Sequence, residues 1–150
     1  MKLDETDVKI LNQLTANSKQ SVKELAKKVN LSPTPVHERI KKMENAGVIT
    51  NYKAVIDHEK LGLKLVVYLQ LKFTMHNQAI FKEFSEYVQT LEEVKEVHFI
   101  AGEYDVLMKV LLSDMSHYND FILNKISQLS NTHSMRSYFV MTSLKSEDSI

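Results

Sequence analysis

Glu103 and Asp105 flank one tyrosine after Gly102, and two carboxylates that close could do acid–base work or accept a ligand's ammonium group. Catalysis would need a nucleophile or a metal beside them, and the sequence spells out neither. The histidines, His37, His58, His76, His98, His117 and His133, lie scattered with no HxH or HxxxH pair. A zinc site needs three or four converging ligands. There is no GxSxG elbow, and Gly47, Gly62 and Gly102 are too far apart for a phosphate loop. Zero cysteines exclude disulfides and thiolate metal sites. The expectation is a protein that is not an enzyme and holds no cofactor and no metal. Binding is a different matter. Glycine permits close backbone approach. Asp105 can take an ammonium, and Ser137 on a later strand, if brought near, can offer its hydroxyl to a carboxylate. That pairing suits an α-amino acid. A tight hairpin with no ligand fits the same residues equally well.

The second chemical feature is the stretch 31–49, LSPTPVHERIKKMENAGVI. Ser32 is placed to cap a helix through its hydroxyl, Pro33 and Pro35 fall in the first turn, and Gly47 follows the last periodic residue. Val36, Ile40 and Met43 form an apolar stripe. Thr34, Glu38, Lys41 and Asn45 point the opposite way, flanked by His37 and Lys42. Such a face could read DNA in the major groove, and an ordinary surface helix would look the same.

The elements around these residues separate the readings. Residues 4–15 have helical apolar spacing behind Asp4, with Glu5 and Asp7 at the positive end of the dipole. Ser21 and Glu24 have capping-box spacing ahead of Val22, Leu25, Ala26 and Val29, and Asn30 can close that helix in a left-handed conformation. Three short helices, the last two joined by a tight turn, make a helix-turn-helix pattern. Residues 50–57 alternate and predict a strand or hairpin, a wing. DHEKLG at 57–62 reads as a linker.

From Leu63 the period changes to two, through Leu65, Val67, Leu69, Leu71 and Phe73. A helix over 80–91, a strand over 94–101, a turn, a strand over 106–112, a helix from Met115 to Leu129 and a strand over 133–144 follow, with a polar tail at 145–150. Strand–helix–strand–strand–helix–strand is the split βαβ plan. Both helices fall on one side of its sheet, so apolar residues on the other side need cover, most simply a second copy. The fold class expected is α+β, an N-terminal winged helix-turn-helix followed by a ferredoxin-like βαββαβ domain. The divisions are 1–57, a linker at 58–62, and 63–150.

Composition is compatible with this plan. Of the 150 residues, 43% are hydrophobic, enough for a core, and 25% are charged. Net charge is zero but uneven, with eleven Lys/Arg against eight Asp/Glu in residues 1–60 and eight against eleven in 61–150. A basic N-terminal part suits an anionic partner. No apolar run is long enough to span a bilayer, and the acidic start lacks the order of a signal peptide, so the expected location is cytoplasmic with no membrane partner.

Five segments carry a family likeness: LDETDVKIL at 3–11, LSPTPVHERIKKMENAGVI at 31–49, AGEYDVLMKV at 101–110, DMSHY at 114–118 and RSYFVM at 136–141. In order and spacing the chain resembles the leucine-responsive/asparagine-type (Lrp/AsnC) transcription regulators over nearly its whole length. The resemblance implies a sequence-specific regulator that binds double-stranded DNA, pairs as a homodimer through its C-terminal sheets, and assembles into octamers or other rings of dimers. It implies modulation by an amino acid or related small molecule, and association with the nucleoid when DNA-bound. DNA contact carries over to Ser32, Thr34, His37, Glu38, Arg39, Lys41 and Lys42. The effector pocket, at a junction between dimers, carries over to Phe99, Gly102, Tyr104, Asp105, Met115, Ser137, Tyr138, Phe139 and Val140. The alternative is a metabolite sensor acting through protein partners, with the N-terminal helices as a docking module.

Overall fold

The computed structural model describes residues 1–129 and 131–144, so the polar tail expected at 145–150 lies outside the described residues. The chain forms two compact units, Met1–Ala54 and Val55–Ile150. In the first, α1 (Glu5–Ala16), α2 (Val22–Lys28) and α3 (Pro33–Asn45) enclose Ile10, Leu25, Ala26, Val36, Ile40 and Met43. Capping boxes start α1 through Asp4 and Asp7, and α2 through Ser21 and Glu24. The ends of α2 and α3 are closed by matching backbone turns. Asn30 (φ 56°) and Gly47 (φ 69°) are left-handed. Leu31 N–H then bonds Ala26 O at 3.0 Å, and Val48 N–H bonds Met43 O at 2.9 Å.

Two expectations fail here. The Ser32 hydroxyl makes no capping bond. The third helical position is Pro35, which has no N–H to offer it. The wing at 50–57 also forms no strand among the described residues. A strand needs a ladder partner, and among the described residues this segment has none; Tyr52 is tied instead by its hydroxyl to Glu44 Oε1 at 2.8 Å. Burial and that bond push the Tyr52 phenol up to about 12. The expected linker is partly ordered: Asp57 caps a 3-10 turn at His58–Leu61, closed by Gly62.

The second unit contains β1 (Leu65–Phe73), α4 (Gln78–Val88), β2 (Val94–Phe99), β3 (Val106–Leu112), α5 (Met115–Asn124) and β4 (Thr132–Phe139). The sheet order is β2-β3-β1-β4, with all neighbours antiparallel. Period two in β1 buries Val67, Leu69, Leu71 and Phe73 against Val106, Met108, Val110 and Leu112 of β3. Phe84 and Val88 of α4 and Phe121 of α5 join the same cluster, so both helices cover one face. Across the other face Val66, Tyr68 and Lys109 line a concavity of about 900 Å³ with residues 55–59 and 140–143. Two elements are shorter than expected. The α5 helix ends at Asn124 and tightens to a 3-10 turn at Ile126–Gln128, and β4 stops at Phe139. Val140 N–H still meets Val66 O at 3.0 Å, one residue from the start of β1 at Leu65, where the ladder runs out.

Candidate nucleic-acid interface and effector site

The apolar stripe of α3 is buried and leaves Ser32, Thr34, His37, Glu38, Lys41 and Lys42 exposed. Arg39 is used differently. Its Nη1 lies 2.6 Å from Asp4 Oδ2 and 2.6 Å from Asp7 Oδ1. Asp7 is the one buried charged side chain among the described residues, 4% exposed. Arg39 therefore joins α3 to the acidic start of α1, and those bonds raise its guanidinium affinity for its proton. The carboxyl of Asp4 is held below its usual range by the Asp7 N–H first and by Arg39 second. Sequence spacing could not reveal this clamp, because its partners are 35 and 32 residues apart.

The residues expected at the effector site divide into three groups. The first lies at the end of the sheet where β1 stops. Asp105 N–H bonds Leu71 O at 2.9 Å, and Asp105 Oδ2 accepts the Phe73 N–H at 2.7 Å. Burial pushes the Asp105 carboxyl up. The Phe73 N–H and His76 outweigh it and hold the group below its ordinary value. Phe99 is adjacent in the register, opposite Val106, with its ring 5.1 Å from Phe81 and 5.8 Å from Phe84. Gly102 stands in open space; a Cβ added there meets no described atom within 4 Å. Close approach by the chain itself is thus not what requires this glycine.

The second group lies on the helix-covered face. The Ser137 hydroxyl is 2.7 Å from the Tyr118 hydroxyl, and Phe139 packs edge-on against Tyr118 at 5.0 Å. Met115, three residues before Tyr118, opens α5 and is half exposed. Tyr118, present in the DMSHY segment but not among the residues expected at the effector site, joins them here, and its place one turn after Met115 is the signal that could have found it. The third group is on the opposite face. Tyr104 is buried beneath the Arg136 guanidinium at 5.2 Å, Arg136 is paired with Glu103 at 3.5 Å, and Tyr138 and Val140 follow the same alternation. The condition on which Asp105 and Ser137 could share one ligand within a chain, that the fold bring them near, is not met. Asp105 bonds at Phe73 and Ser137 pairs with Leu69, four residues away along β1, or roughly 13 Å at strand rise.

Comparison with known proteins decides what these surfaces belong to. Residues 66–150 match the model of the Lrp/AsnC ligand binding domain, and residues 3–50 match a winged helix-turn-helix DNA-binding model. The chain belongs to the Lrp/AsnC family. It is 38% identical over 143 residues to the leucine-responsive regulatory protein of Haemophilus influenzae, covering 95% of this chain and 86% of that one. It is 37% identical to the proline dehydrogenase transcriptional activator of Rhodobacter capsulatus, over 98% and 96% of the two chains. Among solved structures, a transcriptional regulator of Neisseria meningitidis in complex with L-methionine superposes with a TM-score of 0.93 at 29% identity, over 97% and 94%.

As an Lrp/AsnC protein the chain is a DNA-binding transcription regulator, not an enzyme, and its α+β architecture is that of its relatives. The docking-module alternative gives way, because the N-terminal unit matches a DNA-binding model. Neither family model covers 51–65, the stretch that holds the missing wing and the 3-10 turn. Among the described residues no helix is long and apolar enough to cross a membrane.

Proposed function

We propose that this chain is a cytoplasmic, nucleoid-associated regulator whose DNA binding or assembly is set by an α-amino acid. Residues 1–57 read double-stranded DNA, 58–62 link, and 63–150 bind the effector and build a homodimer and an octamer or other ring of dimers. Thr34, His37, Glu38, Lys41 and Lys42 are the DNA face, with Ser32 at its leading end. Arg39 supports that face from behind through Asp4 and Asp7. Glu38 opposes phosphate and can accept from cytosine N4, so one helix is a weak reader, and symmetry multiplies its contacts.

The observation that carries the effector reading is the separation of Asp105 from the Ser137–Tyr118 hydroxyl pair. An ammonium seat and a carboxylate seat that far apart in one chain make a single amino-acid site only when a second copy brings them together. The L-methionine complex of the Neisseria relative supports the ligand class. The ligand shifts DNA affinity to the extent that it binds one assembly state better, and about 1–3 kcal/mol is the usual scale.

A thermal-shift screen of the twenty amino acids, run with a sizing measurement, tests both parts. At least one amino acid is expected to raise the melting temperature and alter the assembly. Stabilisation by none overturns the reading. On the DNA side, Lys41→Ala is expected to lower affinity and reduce the salt slope by about one unit. An unchanged slope removes Lys41 from the phosphate contacts.

A further inference from the structure

Within the chain, the ammonium seat assigned to Asp105 is already filled. Oδ2 is committed to the Phe73 main chain, where it extends the hydrogen bonding of β1 past the end of its ladder with β3. Oδ1 lies 2.8 Å from Nε2 of His76. These two contacts differ in how easily they yield. The first cannot be given up without loosening the end of the sheet. The second involves a side chain 52% exposed, on a loop whose backbone is held by other groups. Asn131 anchors Thr74 and Met75 at 2.9 and 3.2 Å, and Asn77 caps α4 through Ile80 N–H at 3.0 Å. His76 otherwise touches the edge of Phe81, at 6.2 Å between ring centroids. The imidazole can leave while the loop stays.

An imidazole N–H, above all an imidazolium, offers a carboxylate what an ammonium group offers, a donor and a positive charge. We propose that His76 is an internal competitor for the effector's ammonium group at Asp105, and that it thereby sets which effectors bind and how tightly. This rests on the effector reading above. An amino acid enters by displacing the imidazole from Oδ1, and its side chain meets Phe99 and Phe81 beside that oxygen. A ligand without an ammonium group, such as the matching α-hydroxy acid, has nothing to displace His76 with.

The sign of the pH effect follows. Among the described residues, the charged side chain that acts on Asp105 besides His76 is Lys72 of β1. Protonation strengthens the hold of His76 on Asp105, so the effector binds more weakly as the pH falls and more tightly as it rises.

Calorimetric titration of the full chain with L-methionine, and with every other amino acid in turn, tests this. Wild-type affinity is expected to fall about fivefold between about pH 8 and about pH 6, the scale of a partly exposed ion pair. His76→Ala is expected to bind about fivefold tighter than wild type at about pH 6, with a flat pH profile. His76→Lys is expected to bind weakly at both values, a result that a purely structural role does not produce. Equal affinity and the same pH profile in wild type and His76→Ala overturn the competitor, as does weaker binding by His76→Ala. If Asp105→Asn meanwhile abolishes binding, the effector reading stands without it. Failure of wild type and His76→Ala alike to bind any amino acid overturns both. The wild-type chain gives a mutation-free version: saturating ligand should return the His76 ring resonances to those of a free histidine, and unmoved resonances overturn the proposal.

Discussion

Among the described residues, the N-terminal unit closes on a cluster of six buried apolar side chains, and the C-terminal unit on one of thirteen. The smaller core is supplemented by local devices: two capping boxes, two left-handed helix ends and the Arg39 clamp on Asp4 and Asp7. The larger core depends on register, with β1 holding β3 on one side and β4 on the other. The difference corresponds to what each unit does. A DNA-reading unit needs one rigid short helix presented to a groove, and caps suffice to fix it. A unit of a ligand-binding family, proposed above to take its effector between copies, needs side chains from distant segments at fixed spacings, which a sheet supplies.

Core truncations should break this comparison most strongly if the units are not separate. Phe121→Ala removes a fully buried ring from the C-terminal core and is expected to cost about 3–5 kcal/mol. Met43→Ala removes a fully buried side chain from the N-terminal core and is expected to cost about 2–5 kcal/mol. Met43→Ala should abolish DNA binding while leaving the sheet signal, the assembly and the effector response intact, as seen by calorimetry, sizing and circular dichroism. Phe121→Ala should abolish assembly as well. One transition lowered equally by both variants would mean that the two units unfold as one.

A smaller effect separates the units by pH. Glu93, just before β2, accepts from Lys125 Nζ at 2.5 Å and lies 3.3 Å from His117 Nε2, tying α5 to the start of β2. Burial pushes its carboxyl up, but the Lys125 ammonium, a backbone N–H and His117 together hold it below its ordinary 4.5. A depressed carboxyl contributes stability above about 4.5, and that contribution is lost as pH falls through the folded value. Lys125, raised above its ordinary 10.5, loses its share only at the alkaline end. Glu93→Gln should therefore lower the C-terminal melting transition at neutral pH by about 1 kcal/mol, a modest figure because Lys125 is one-third exposed. The gap to wild type should close below about pH 4. A gap that persists in acid would show that packing, not the ion pair, is what Glu93 supplies.

The same division governs what could be read from residues alone. Asp4, Ser21–Glu24, Asn30 and Gly47 act within four residues of themselves, and each does what its spacing predicts. The alternation from Leu65 to Phe73 likewise declares its buried face. Legibility ends where a partner is distant. Arg39 looks free until α1 is folded against α3. Residues 50–57 have strand composition, yet composition cannot supply the second strand. Ser32 is a lesson in the opposite sense, since the reason its hydroxyl caps nothing, Pro35, was visible three residues away. At the proposed effector site the separation of Asp105 and Ser137 was not legible. Only the register of β1 with β3 and β4 shows Asp105 and Ser137 apart, and only the end of β1 brings His76 to Asp105.

The smallest expected change in stability sharpens the comparison furthest. Gly102 has no left-handed backbone, and a Cβ there meets no described atom within 4 Å. Gly102→Ala should thus leave the folded C-terminal unit within about 0.5 kcal/mol of wild type, with a slight gain from a less flexible unfolded chain. If the bare backbone matters, it matters to something arriving from outside, an effector or a second copy approaching closer than a methyl group allows. Unchanged melting with loss of the proposed amino-acid response, or with altered assembly on sizing, is the expected outcome. Unchanged melting with both properties intact would reduce the turn to a hairpin connection. The proposed ammonium seat would then rest on Asp105 alone.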